Sequence, residues 1–257
     1  MTITLKDFRV SAGNRLLVEV PEMALEPGAL TGLTGPSRSG KSVLCQTLVG
    51  LADPNWTVSG ACTRDGEELL KAGRVHMKPG KDACWIGADP RSLLDPLQRC
   101  GRQLIDAYRA SHKGASASTA EAASQAMLVE LGIDDPVRRM RNYPHEISGG
   151  MAQRVVIAAA LLTDARLVVL DDALVGLDAT LEMQIASLVR STALEADRVV
   201  VFASHDPLLV EHVSDVVYMF AEGCARSSGE VPDLWREYVA LVSLEDLPEG
   251  IDCEQSA

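Results

Sequence analysis

The sequence has no stretch of apolar residues long enough to cross a lipid bilayer. About 18–20 such residues are needed, and the longest candidate, VVIAAALL at 155–162, has Arg154 just before it and Asp164 just after it. The opening MTITLKDFRV lacks the basic-then-apolar plan of a signal peptide, so the chain is expected to stay in the cytoplasm. No two cysteines stand close together. Cys45, Cys62, Cys84, Cys100, Cys224 and Cys253 are scattered, which suggests neither a zinc ligand set nor a disulfide framework and leaves reduced thiols, several of them buried. Positive charge is also in short supply. With 24 Lys and Arg against 36 Asp and Glu, the net charge of -12 argues against broad, salt-sensitive binding to nucleic acid or anionic lipid. No nucleic-acid partner is expected, and no internal repeat is visible.

What is present suits an ordinary globular protein. At 257 residues, 47% hydrophobic and 23% charged, the chain can bury a substantial core as one large domain or as a domain with a sizeable insertion. TITLKDFRV, with Ile3, Leu5 and Phe8, reads as a half-buried strand, and LLVEV and ALTGLTG read as two more. From Asp89 to about His145 the character turns helical: PRSLLDPL, RQLIDAYRASH, a small-residue loop KGASAS, then TAEAASQAMLVELGI. This helical insertion follows the strand ACWIG. Beyond it come a helix starting near Gly149, the buried strand RLVVL, a helix over 179–196, and the strands RVVVFAS and VVYMFA. Continuous apolar runs separated by helices predict a largely parallel sheet covered on both faces, an α/β fold. The amphipathic VPDLWREYVALVSL follows, and the acidic end EDLPEGIDCEQSA is expected to fray.

Residues 35–42, GPSRSGKS, match G-x-x-x-x-G-K-[ST] at every fixed position, after one predicted strand and at the start of the helix KSVLCQTLVG. A chance match in a chain of this length has a probability on the order of one percent, given ordinary glycine usage. The chemistry requires this pattern. Gly35 and Gly40 let the backbone N–H groups of Pro36's successors Ser37, Arg38 and Ser39 curl around phosphate oxygens, and the helix N-terminus adds its own unpaired donors. Lys41 would reach the β and γ phosphates, and the Ser42 hydroxyl would ligate Mg²⁺. RLVVLDD ends a buried strand in Asp171, whose carboxylate can stand beside the metal held by Ser42. Gly50 is placed to end the helix from the position after its cap.

A longer segment, YPHEISGGMAQRVVIAAALL at 143–162, resembles the signature of ATP-binding cassette (ABC) ATPases, with Ile147, Ser148, Gly149, Gly150 and Met151 in place of the usual LSGGQ. Tyr143, Pro144, His145 and Glu146 before it, and Gln153 and Arg154 after it, are similar to importers of dipeptides, oligopeptides and nickel or nickel chelates. The resemblance covers nearly the whole chain. It implies a P-loop NTPase core with a mostly parallel sheet, an antiparallel β subdomain and an α-helical subdomain inserted at about 89–147, in one domain over 1–245 with an acidic tail at 246–257. It implies ATP and Mg²⁺ as cofactors, Ser42 and Asp171 as metal ligands, Asp178 in the GLD loop, and His205 as the histidine that contacts the γ-phosphate. His145 is expected to be only part of the YPHE turn. Ser148, Gly149 and Gly150 would face the nucleotide of another chain, so two cassettes would pack head to tail around two ATP molecules. Two different ATPase subunits are the expected pair, with two copies of this chain as the alternative. The helical insertion would receive a short cytoplasmic helix from an integral membrane permease, an extracytoplasmic substrate-binding protein would act indirectly, and the chain would lie on the cytoplasmic face of the inner or plasma membrane.

Three positions depart from the family pattern. Asp172 stands where a glutamate normally polarises the attacking water. Reference acidities of the two side chains differ little, about 3.9 against 4.3, but the missing methylene shortens the reach by about 1 Å or more, a misplacement that can cost on the order of 10²-fold in rate. Ala88, in GADP, stands where the family has a glutamine, and a methyl group can hold neither metal nor water. Ala12 stands where an aromatic commonly stacks on adenine. The expectation is a site that binds MgATP and hydrolyses it slowly, while Ser148, Gly149 and Gly150 complete the partner's site. Alternatives are an ATPase accessory to a multi-subunit enzyme such as a phosphonate-cleaving complex, and a non-hydrolysing regulatory subunit. With Cys253 the only cysteine near the C-terminus, no iron–sulfur cluster is expected, and cargo leans toward the nickel-type members.

Overall fold

The structure, a computed structural model, describes residues 1–195 and 197–229. The predicted segment 231–244, the tail 246–257, the domain end at 245 and Cys253 lie outside the described residues. Strands β1 (Ile3–Ala12) and β2 (Arg15–Leu25) form an antiparallel hairpin. On β1 the buried positions are Ile3, Leu5, Phe8 and Val10, and a step of three from Leu5 to Phe8 cannot come from a regular strand of period two. A bulge resolves it: Asp7 takes φ 45°, and the pairing with the neighbouring strand shifts register between Lys6 and Arg9. The residue opposite is Gly60, where a Cβ would sit 2.1 Å from the Asp7 carbonyl oxygen.

Next come β3 (Leu30–Thr34), fully buried, and α1 (Lys41–Leu48). Helix α1 ends as its sequence predicts. Gly50, at φ 78°, follows the C-cap Val49 and donates to Thr47 O, while Leu51 donates to Gln46 O, the paired bonds of a Schellman motif. Strands β4 (Trp56–Arg64), β5 (Glu67–Glu68), β6 (Leu70–Lys71), β7 (Arg74–Val75) and β8 (Ala83–Ile86) complete the β-rich first third. Between β8 and the next strand lie α2 (Cys100–Ser111), α3 (Ala117–Glu130), α4 (Pro136–Met140) and α5 (Gly149–Leu161). The predicted helical stretch is therefore helical, and its three helices pack on one another; Gly101 lets α2 press on α4, where a Cβ would lie 2.6 Å from Met140 Cβ. The chain returns through β9 (Leu167–Asp171), α6 (Ala179–Glu195), β10 (Val199–Ala203), α7 (Pro207–Val213), β11 (Val216–Ala221) and β12 (Cys224–Gly229).

One sheet of ten strands, in the order β5-β4-β1-β2-β12-β11-β3-β10-β9-β8, carries the fold. The strands β11, β3, β10, β9 and β8 run parallel to their neighbours, as continuous apolar runs predict, whereas β5, β4, β1 and β2 are antiparallel. The two parts are continuous. Strand β12 returns antiparallel beside β11 and touches β2 through the pair Cys224 and Glu19. Two buried clusters cover the two faces, one centred on α5, α6 and the helical insertion, the other on β1, β2 and α1. Among the described residues no helix is long and apolar enough to cross a membrane, and Cys45, Cys62 and Cys100 are buried thiols.

Candidate functional site

The loop 35–42 leaves β3 and enters α1 under tight steric control. A Cβ at Gly35 (φ 141°) would fall 2.1 Å from Phe220 O on β11, and one at Gly40 (φ 100°) would fall 2.8 Å from both Leu17 O and Val18 Cγ2 on β2. Arg38 also has positive φ, at 67°. The neighbouring strands thus impose the glycines at both ends of the loop. Lys41 is 5% exposed, and its Nζ donates to Gly35 O at 2.7 Å, Pro36 O at 2.9 Å and Ser39 Oγ at 3.3 Å. Burial lowers the Lys41 pKa, and the nearby carboxylates of Asp172 and Asp171 oppose that shift. A pocket of about 630 Å³ opens over the loop, lined by residues 15–17, 37–43, Asp172, Glu222 and Gly223. Its size is ordinary for a small-molecule site. The β-hairpin residues Arg15 and Leu16 and the β11–β12 turn were not singled out in the sequence. They reach the pocket only because β12 closes against β2, with Glu19 N donating to Gly223 O at 2.7 Å.

Asp171 ends β9 and is 4% exposed. It accepts from Ser42 Oγ at 2.9 Å. Burial raises its pKa; the bond from Ser42 opposes this, Asp172 adds to it, and the indole N–H of Trp85 and the Lys41 cation lower it. A desolvated carboxylate whose oxygen lies within hydrogen-bonding distance of a serine hydroxyl is an oxygen donor set suited to a hard divalent cation, and a cation there would relieve the cost of burial. The residues predicted as metal ligands are therefore together and fit the role.

Asp172, next in sequence, turns away from its neighbour with φ 50° and its N–H bonded to Ala203 O. Its Oδ1 accepts from the backbone N–H of His205 at 3.3 Å and lies 3.2 Å from His205 Nδ1. The carboxylate lies beside the loop and lines the pocket. His205 and Asp172, both predicted at the γ-phosphate end, are thus brought into direct contact. Ala88 follows β8, exposed, and offers only its methyl group; Asp89 beside it caps the next turn by accepting from Arg91 N. Ala12 ends β1 paired with Arg15 of the pocket lining, and is not itself part of that lining.

Ser148, Gly149 and Gly150 lie outside that lining. Ser148 caps α5, its Oγ accepting from Met151 N at 3.3 Å, and both Ser148 and Gly149 are exposed. A Cβ at Gly149 would meet nothing within 4 Å. The α5 N-terminus therefore presents its donors at the surface of the chain. Its flanks are anchored: Gln153 Nε2 donates to Ala173 O in the loop after Asp172, Arg154 Nη1 donates to Gly132 O at 2.6 Å, and Arg91 Nη2 donates to Ile147 O at 3.0 Å. Asp178 is exposed and caps α6, accepting from Leu181 N at 3.0 Å. His145 is exposed and stacked on Tyr143, with ring centroids 5.6 Å apart, while Glu146 accepts from Tyr143 N; it is part of a turn, as expected.

The chain is similar to known proteins over most of its length. It is 31% identical over 248 residues to the oligopeptide transport ATP-binding protein OppD of Escherichia coli strain K12, covering 94% of this chain and 73% of that protein. It is also 31% identical over 255 residues to a putative peptide import ATP-binding protein of Brucella abortus, covering 96% of this chain and 76% of that one. Among solved structures, a dimeric post-hydrolysis state of an ATP-binding cassette bound to ADP and Pi superposes with a TM-score of 0.74 at 20% identity, over 89% of this chain and 98% of that one. The ATP-binding subunit of an ABC transporter superposes with a TM-score of 0.72, over 94% and 95%. These two likenesses are likenesses of fold. The family model described as ABC transporter matches residues 18–175, from the strand that supports the phosphate loop to the turn beyond the paired aspartates, and with that match the chain belongs to the ABC transporter family.

Proposed function

We propose that this chain is the ATP-binding subunit of a peptide importer, with its own γ-phosphate shell built for slow hydrolysis. The observation that carries the reading is the contact of Ser42 with Asp171 at the mouth of a glycine-strained loop, in a chain whose relatives are named for oligopeptide transport and peptide import. Bound MgATP would supply the phosphoanhydride whose cleavage releases energy. The N–H groups of residues 37–42 and the α1 N-terminus hold the phosphates, and Lys41 adds a positive charge at the same place. Ser42 and Asp171 would hold Mg²⁺. Asp172 polarises water, oriented by His205, but its short side chain and the methyl group of Ala88 leave that water poorly held. Binding is strong and chemistry is slow.

The exposed Ser148 and Gly149 serve a second cassette chain, whose nucleotide they cover. Such a pair closes on ATP and relaxes after hydrolysis, and the helices between β8 and α5, tied to α5 through Arg154, pass that motion to a permease at the cytoplasmic face of the membrane. Peptides are favoured as cargo over nickel chelates, because the relatives' names concern peptides. The chain purified with its permease and partner cassette, in vesicles, is assayed for ATPase stimulation by peptides and by nickel chelates through the cognate binding protein. Stimulation by peptides alone is expected. Loss of all affinity for magnesium adenine nucleotides in the purified complex would overturn the reading.

A further inference from the structure

Trp85 lies on β8, paired in parallel register with Val169 of β9. Side chains two residues apart on a strand share a face, so Trp85, Val169 and Asp171 project together toward α1, the helix that begins with Lys41 and Ser42. The indole is half-buried, and its Nε1 is fully buried with no hydrogen-bond partner among the described residues. An indole nitrogen can only donate, and buried donors in native proteins are paired. Asp171, two residues beyond Val169, puts a carboxylate on the face this donor occupies, and the indole N–H acts to lower its pKa. Gly87 makes room for this. An ideal Cβ there would stand 2.5 Å from Trp85 Cη2 and 2.6 Å from Cζ2, so the six-membered ring lies directly over the glycine backbone. Any larger residue at 87 would push the indole off its place.

We propose that Trp85 is a positioning residue for the metal-binding carboxylate: its indole N–H steadies Asp171 from β8, next to the point where Ala88 supplies no polar side chain. The proposal rests on the reading that Ser42 and Asp171 hold Mg²⁺. Asp171 Oδ1 already accepts from Ser42, and a second donor from β8 would restrain the carboxylate further, the way outer hydrogen bonds orient metal ligands elsewhere. Gly87 belongs to the same device, because it sets where the indole lies.

The test uses the full chain and two variants that reach the contact from different sides. Trp85→Phe keeps an aromatic ring over Gly87 and removes the donor, while Gly87→Ala keeps the donor and displaces it. ATP affinity is measured by titration calorimetry in Mg²⁺ and in EDTA, with thermal melts confirming the fold. Wild type is expected to bind ATP more tightly in Mg²⁺. In each variant that advantage falls by about 10-fold, the lower end of what a lost outer-shell partner costs in metal affinity, while affinity in EDTA is unchanged. In a chain with Trp56 and Trp235 replaced by Phe, so that Trp85 alone reports, the emission shifts when Mg²⁺ is added to the ATP-loaded protein. If a folded Trp85→Phe or Gly87→Ala protein keeps the full Mg²⁺ advantage, the positioning role is overturned and the MgATP reading stands. A wild type with no Mg²⁺ advantage overturns both.

Discussion

Lengthening the acid at 172 should speed hydrolysis while costing stability. In the structure the Asp172 carboxylate is drawn back onto the start of the turn after β10, its Oδ1 shared by the N–H and the ring of His205 at 3.3 and 3.2 Å. A glutamate reaches about 1 Å further toward the phosphates, and a placement error of that size is worth up to roughly 10²-fold in rate, about 2.7 kcal/mol of barrier. Ala88→Gln restores a carbonyl and an amide just beyond β8, the strand beside β9. Asp172→Glu together with Ala88→Gln is therefore expected to raise the single-turnover rate at this site by about 10- to 10²-fold. The backbone sets an opposing effect: φ is 50° at 172, a conformation aspartate tolerates and glutamate resists, so the variant should melt a few degrees lower, for about 1 kcal/mol of strain. The assay is single-turnover hydrolysis of labelled ATP in the assembled pair, with the partner's own acid removed. A double variant no faster than the parent, combined with an Asp172→Asn variant that abolishes most of the activity, would show that Asp172 is already a competent base and refute the reasoning.

Three further outcomes separate the parts of the site. Gly149→Glu places a long charged side chain where a Cβ meets nothing within 4 Å, so the isolated chain should keep its melting temperature and ATP affinity while ATP-dependent pairing, followed by light scattering, is lost. Gly40→Ala forces a Cβ to 2.8 Å from Leu17 O at φ 100°; it should destabilise the chain by about 1–3 kcal/mol and weaken ATP binding, read by thermal melting and calorimetry. Asp171→Asn should raise the melting temperature of the nucleotide-free chain at pH 7 and remove the Mg²⁺ advantage in ATP binding. The sign follows from burial: the folded chain holds the Asp171 proton more tightly than the unfolded chain does, so the wild type loses this contribution as pH rises from the unfolded carboxylate range through the raised folded value. The stabilisation by Asn should therefore vanish in acid.

The parallel strands and the phosphate loop were legible because each depends on a local rule. LVVL at 167–170 and VVVFA at 199–203 are continuous apolar runs with no polar face to expose, LTGLT at 30–34 carries no charge, and all three are buried; Gly35 and Gly40 sit where fixed spacing demands them. Other features depended on partners distant in sequence. The bulge at Asp7 is written only in the step from Leu5 to Phe8 and in a glycine more than fifty residues away. The turn at Glu222 and Gly223 joins the pocket because β12 happens to meet β2. Trp85 and Gly87 stand in CWIGADP, and the local signal for them is a large aromatic on a strand two residues before a glycine just past its end.

The departures at 88 and 172 stand just beyond the ends of β8 and β9, the neighbouring strands that carry Trp85 and Asp171, whereas Ser148, Gly149 and Gly150 are held by contacts of their own: a side-chain cap on α5 and anchors through Arg91 and Arg154. On the proposed reading, a chain that builds half of one nucleotide site and half of another can lose reach in the first without loosening the second, because the bonds that hold the capping turn and its flanks join Ser148 to Met151, Arg154 to Gly132 and Arg91 to Ile147. The two halves still meet mechanically at Gln153, which donates from α5 to Ala173 immediately after Asp172. A change of occupancy at the loop can therefore be felt at the surface offered to the partner even where cleavage is slow. On the proposed reading, ATP binding on this chain would work as a clamp, and hydrolysis in the partner's site, completed by Ser148, would set the pace of release.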